Sequence, residues 1–128
     1  MRLKHFNLPF SVQLFKALSD EARVRILVLL QEKGNLCISD LELILDFTQT
    51  KTSRHITYLR NAGILASRKA DQYVFYYIKE EVENFVRQML KYVQSDGRLK
   101  KDLEIHDILE SNRELAKNKV DPDNRRLP

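Results

Sequence analysis

Apolar residues recur at helical spacing in Phe10, Leu14, Ala17 and Leu18, with Val12 and Phe15 beside them. The run follows Pro9, a residue suited to the first turn of a helix, so a short first helix is expected. Ser19 and Asp20 offer side-chain oxygens to cap a second helix over about 20–33. Ala22, Ile26, Leu29 and Leu30 form its apolar face, reinforced by Val24, Leu27 and Val28, and Gly34 is its stop. Ser39 is the expected cap of a short third helix that carries Leu41, Ile44 and Leu45. Asp40 and Glu42 fall in its first turn, where the helix dipole favours negative charge, and it ends near Asp46. Thr48 then caps a fourth helix with Thr52, Ile56 and Leu59 inward, closed by Gly63. Two helices joined by so short a turn make a helix-turn-helix candidate.

Beyond Gly63 the period changes. Residues 64–70 and 73–79 read as two short strands, the second rich in aromatic and β-branched residues. Asp71-Gln72 between them is a hairpin turn that lacks the glycine preferred by tight primed turns. Glu80 and Glu81 open a strongly amphipathic helix with Val82, Phe85, Val86, Met89, Leu90 and Val93 on one face. Asp96-Gly97 breaks it. Residues 98–119 are dominated by charge, with Leu99, Leu103, Ile105, Ile108, Leu109 and Leu115 scattered among them, which allows a weakly amphipathic helix. Residues 121–128, with two prolines and no aromatic, are expected to be disordered.

Composition narrows the class. The 128 residues are 43% hydrophobic and 31% charged, enough for one core plus an extension and without the contiguous apolar run of a membrane span. Residues 1–10 carry Arg2 and Lys4 but no apolar run with a small-residue cleavage site, so a cytoplasmic protein is expected. The net charge is +4, and its placement says more than its size. Residues 48–70 hold Lys51, Arg54, Arg60, Arg68 and Lys69 with no Asp or Glu, either a phosphate-facing surface or a solvated basic face. Cys37 is the single cysteine, which rules out an intramolecular disulfide and a thiolate-rich metal site within one chain. It reads as a small buried apolar residue or, given a lowered thiol pKa and an accessible partner, a redox switch. With no paired histidine and cysteine nucleophile motif, no glycine-rich phosphate loop among three glycines and no carboxylates clustered with histidine, the chain does not read as an enzyme.

Three motifs in order carry a resemblance. Leu14-Phe15-Lys16-Ala17-Leu18-Ser19-Asp20-Glu21-Ala22-Arg23-Val24-Arg25-Ile26-Leu27 resembles the opening of ArsR-type (ArsR/SmtB) repressors. Leu36-Cys37-Ile38-Ser39-Asp40-Leu41 is similar to their short-helix motif. Thr48-Gln49, Thr52-Ser53-Arg54-His55-Ile56 and Leu59-Arg60-Asn61-Ala62-Gly63-Ile64-Leu65 resemble the recognition helix and the entry to the wing. The resemblance, which covers about residues 10–93, implies a mainly α fold with a small β-hairpin, a winged helix-turn-helix in the order α-α-α-α-β-β-α, and the charged run past it adds a C-terminal helical extension. Residues 1–95 would form the DNA-binding and dimerisation domain, and 96–128 a charged extension, helical to about 119 and then disordered.

The implied function is a sequence-specific repressor that binds an inverted repeat in double-stranded DNA as a homodimer. Thr48, Gln49, Thr50, Lys51, Ser53, Arg54 and His55 are its candidate recognition-helix contacts, with Arg60 further along and Arg68, Lys69 and Gln72 in the wing. Gln49 and Thr50, at the amino end, suit base edges; Lys51 and Arg54 suit phosphates or guanine. His55 is open between DNA contact and packing. Phe10, Leu14, Val82, Phe85, Val86, Met89, Leu90 and Val93 are the candidate dimer interface, the alternative being intrachain core. The family's metal sites do not carry over. Ser39 stands where a second cysteine would fall beside Cys37, and the region of Glu80, Val82, Val93 and Asp96 offers no histidine. His5, His55 and His106 are scattered, so no metal or cofactor is expected within one chain; a site assembled between subunits stays open, as does the effector. The alternative is a winged-helix module that binds protein, with the basic stretch incidental.

Overall fold

The computed structural model describes residues 6–120. The expectations for Arg2, Lys4 and His5 and for the 121–128 tail fall outside the described residues. Helix α1 (Leu8–Ala17) begins where Asn7 Oδ1 accepts the Phe10 amide at 2.9 Å, with Pro9 in its first turn. Helix α2 (Glu21–Lys33) is capped by Asp20, whose Oδ1 accepts the Arg23 amide at 3.2 Å, and closes at Gly34. The expected cap of the third helix is corrected. Strand β1 (Leu36–Cys37) runs straight into α3 (Ile38–Leu45), so Cys37 holds the cap position and Ser39 falls inside the first turn, its Oγ 3.1 Å from Cys37 Sγ. Asp46, at φ 58°, ends α3 in the left-handed conformation that Asp tolerates better than most residues.

Helix α4 (Gln49–Asn61) is capped as expected, Thr48 Oγ1 accepting the Lys51 amide at 3.1 Å. Strands β2 (Leu65–Ala70) and β3 (Tyr73–Ile78) form the hairpin, and Asp71 at φ 56° supplies the left-handed turn residue that a glycine would normally provide. The sheet has three strands, not two. β1 pairs antiparallel with the free edge of β3, Leu36 opposite Tyr76 and Cys37 opposite Phe75, giving the order β1-β3-β2. Helix α5 (Glu80–Leu90) tightens into a 3₁₀ turn at Lys91–Val93.

The core lies between the helices and the sheet. Leu14, Ile26, Leu27, Leu41, Ile44, Ile56, Leu59 and Ile64 meet there, so α3 and α4 are each fixed by an apolar face and leave a polar face outward. Helix α6 (Gly97–Ser111), capped by Asp96, packs on α2 and α3. Its inward positions are Leu99, Asp102 and His106. Arg25 of α2 donates two hydrogen bonds to the buried Asp102 carboxylate, at 2.9 and 3.0 Å. A last 3₁₀ turn (Ala116–Lys119) reaches α3, where the Ala116 amide donates to Asp40 Oδ1 at 2.6 Å, and Ala116 and Val120 pack with Cys37.

Candidate nucleic-acid interface

The first turns of α4 present Gln49, Thr50, Lys51 and Arg54 together to solvent, beside the exposed cap Thr48 and the half-buried Ser53. The opposite face is held inward by Thr52, Ile56 and Leu59, and Thr52 Oγ1 donates to Thr48 O at 2.8 Å. Lys51 Nζ lies 4.1 Å from the Phe47 ring centroid, a cation resting on an aromatic face. Among the described residues, Lys51, Arg54, Arg60 and Lys69 make no ion pair with a carboxylate, so this basic surface is not neutralised from within. Arg60 lies at the far end of α4, its Cζ 6.0 Å from the Tyr76 ring centroid. In the hairpin Lys69 and Gln72 are exposed and Arg68 is half-buried.

His55 does not share the exposed face. It is 6% exposed, its Nδ1 3.5 Å from Arg23 Nη1, because its position on α4 turns it toward α2. Burial pushes its imidazole below the ordinary histidine value; the Asp20 charge opposes this, while Arg54, Arg23 and Lys51 add to it. The packing alternative is what the structure holds.

The expected dimer residues divide. Leu14, Val82, Val86 and Leu90 are buried in the chain's own core and cannot face a partner, which corrects that part of the expectation. Phe10, Phe85 and Met89 are half-buried and Val93 is exposed. Among the exposed apolar side chains, Leu8 (77% exposed), Val12 and Phe15 (56%) form a second stripe on α1, and Tyr92 (84%) and Val93 follow α5; Leu43, Tyr58, Val74 and Ile108 are exposed elsewhere. Phe15 and Phe85 rings lie 6.0 Å apart and join α1 to α5. Leu8, Val12 and Phe15 stand at i, i+4 and i+7, a spacing readable in the sequence but masked there by the Phe10, Leu14, Ala17 stripe.

His106, Asp107 and Glu110 place donor atoms within 4.8 Å of one another, the one such metal-like cluster among the described residues. Lysines already pair with its members: Lys117 Nζ lies 2.7 Å from His106 Nε2 and 2.9 Å from Glu110 Oε2, and Lys33 Nζ lies 2.8 Å from Asp107 Oδ1. Cys37 is buried, and burial pushes its thiol above the ordinary value while the Ser39 hydroxyl works against this, so it lacks the lowered pKa a redox switch needs. No helix of the described residues is long and apolar enough to cross a membrane.

A capped helix with a polar and basic outer face, preceded by a short helix and followed by a hairpin, defines a winged helix-turn-helix protein. The sequence profile described as "Bacterial regulatory protein, arsR family" matches residues 20–67. The chain is 41% identical over 85 residues to the arsenical resistance operon repressor of Escherichia coli K12, covering 66% of this chain and 71% of that protein. It is 43% identical over 79 residues to the arsenic resistance transcriptional regulator ArsR1 of Pseudomonas putida KT2440, spanning 62% of each. Among solved structures, HlyU from Vibrio cholerae N16961 superposes with a TM-score of 0.60 at 30% identity, covering 66% of this chain and 91% of that one. The chain belongs to the ArsR family of transcriptional regulators. These relatives are regulators and not enzymes.

Proposed function

We propose that this protein is a cytoplasmic, sequence-specific DNA-binding repressor that sits on an inverted repeat as a homodimer. The observation that carries the reading is the un-neutralised face of α4: Gln49 and Thr50 at its amino end, with Lys51 and Arg54 behind them. Short polar groups at the start of a recognition helix read base edges in the major groove, and flanking cations take phosphates. Lys69, Gln72 and Arg68 on the hairpin extend the same surface toward the adjacent backbone or minor groove. Two copies meet through the stripe of Leu8, Val12, Phe15, Tyr92 and Val93, joined by Phe10, Phe85 and Met89. Repression follows from occupying promoter DNA and needs no catalytic group.

The test is a fluorescence-anisotropy titration of the duplex upstream of this protein's own gene against a scrambled duplex, at low and near-physiological salt. Selective binding is expected, with log affinity falling as log salt rises, because bound cations release counterions from the phosphates. The Lys51→Ala/Arg54→Ala protein is expected to lose both the affinity and part of the salt slope. Equal weak binding to the two duplexes, indifferent to that substitution, would favour a protein-binding module instead.

A further inference from the structure

Three features tie the end of the recognition helix to α1. Gln13, on the solvent side of α1, donates from Nε2 to the Asn61 carbonyl at 2.9 Å. Asn61 is the last residue of α4, where carbonyls lack intrahelical partners. Arg23 works from α2 in both directions. Its Nε donates to Ala17 O at 2.9 Å and Nη2 to Lys16 O at 3.1 Å, closing the end of α1. The same guanidinium lies 4.0 Å over the Tyr58 ring and 3.5 Å from His55 Nδ1, both on α4. Gly63, at φ +83°, brings the chain so close to α1 that a Cβ there would lie 3.0 Å from Phe10 Cε1.

These latches grip the C-terminal half of α4, while Gln49 and Thr50 project from its other end, about 12 to 18 Å away along the axis. A tilt of about 5° at the latch therefore moves the reading tip by about 1 Å over that length. Helix α1 also bears Leu8, Val12 and Phe15, the exposed apolar stripe. The strut thus runs from the dimer face to the reading tip. We propose that Gln13 and Arg23 are positioning residues for DNA recognition: they hold α4 at a fixed angle to α1, so that the dimer seam sets the spacing of the two recognition helices.

This rests on the repressor reading above. Specific binding needs base-edge geometry to hold at two half-sites at once; non-specific binding needs only cations near phosphates. Loosening the latches is therefore expected to lower selectivity while leaving non-specific affinity and salt slope in place. A fold defect would not separate these quantities, because an unfolded fraction lowers both affinities together.

The experiment uses the full chain and a duplex enriched from a random pool by the wild-type protein. A second duplex has its half-sites moved apart by one base pair, and a third is scrambled. Gln13→Met removes the donor at an exposed position with little change of size; Arg23→Lys keeps the charge and loses the planar fork. Each variant is expected to lose roughly fivefold in affinity for the enriched duplex, the scale of one lost hydrogen bond or cation–π contact. Each is also expected to discriminate less between the two spacings while binding the scrambled duplex as the wild type does. Tyr58→Leu should behave like Arg23→Lys, and Tyr58→Phe, which retains the ring face, should recover most of that loss. Wild-type selectivity and spacing preference in Gln13→Met and Arg23→Lys would overturn the coupling alone. A wild-type protein that enriches no sequence would overturn the repressor reading and the coupling with it.

Discussion

Removing Arg25 should damage this protein more than removing the carboxylate it binds. Asp102 is 1% exposed and takes both of its strong hydrogen bonds from Arg25, across the α2–α6 contact. Arg25→Met leaves that carboxylate buried without its counter-charge, a change that costs about 3–5 kcal/mol. Against a total stability of roughly 5–15 kcal/mol, this is a large fraction. Asp102→Ala is milder. The Arg25 side chain is 14% exposed and lies 5.0 Å from the Phe47 ring, so the freed guanidinium reaches water and keeps one favourable neighbour. A loss of about 1–2 kcal/mol is expected, on the scale of the hydrogen bonds given up. The pair Arg25→Met/Asp102→Leu should recover most of the loss, since a buried ion pair is commonly replaced by apolar residues at little net cost. Urea unfolding followed by far-UV circular dichroism, with midpoints compared at equal slope, measures each term. An Arg25→Met protein within about 1 kcal/mol of wild type, or single losses that simply add in the double variant, would refute a docked α6.

Gly63→Ala forces a side chain into the left-handed region and against the Phe10 ring, so a loss of at least about 1–2 kcal/mol is expected in thermal melts; an unchanged melt would contradict the close approach. Burial lowers the pKa of His106, its hydrogen bond to Asp107 opposes this, Lys117 lowers it further, and the Glu110 and Asp107 charges oppose it again. The unfolded chain therefore binds this proton more readily. The stabilisation is full above the ordinary value of 6.5 and is lost as pH falls below it. His55 shifts in the same direction, and Asp40, raised by burial, pulls the other way at lower pH. The melting temperature should fall between about pH 7.5 and about pH 5.5, less steeply in His106→Gln; a flat or rising profile would be inconsistent with this. Cys37 should resist a thiol-specific reagent in native buffer and react promptly in denaturant, and fast native labelling would show the Ala116 and Val120 cover to be open.

What the sequence conceals has physical causes. Helix α6 is faint because two of its inward positions are polar: Asp102 and His106 stand in the stripe begun by Leu99, so hydrophobic periodicity passes over it. Their partners, Arg25 and Lys117, lie far along the chain or beyond the helix. Strand β1 is two residues long, too short for alternation to register, and it displaces the expected cap from Ser39 to Cys37. The α5 stripe is legible as apolar but not as inward or outward, and most of it turns inward. By contrast the α4 surface is legible, since Thr48, Thr52, Ile56 and Leu59 fix both the cap and the rotation of the helix. His55 escapes because its ring is equally at home on either face, and the neighbour that draws it in, Arg23, belongs to α2.

The central claim, that α4 reads DNA as one half of a two-fold pair, is tested most directly by a hydroxyl-radical footprint on the duplex enriched by the wild-type chain. The account predicts two protected patches on one face of the helix, related by a dyad and centred about one helical turn apart, ~34 Å. A single patch, or protection without phase along the duplex, would contradict it.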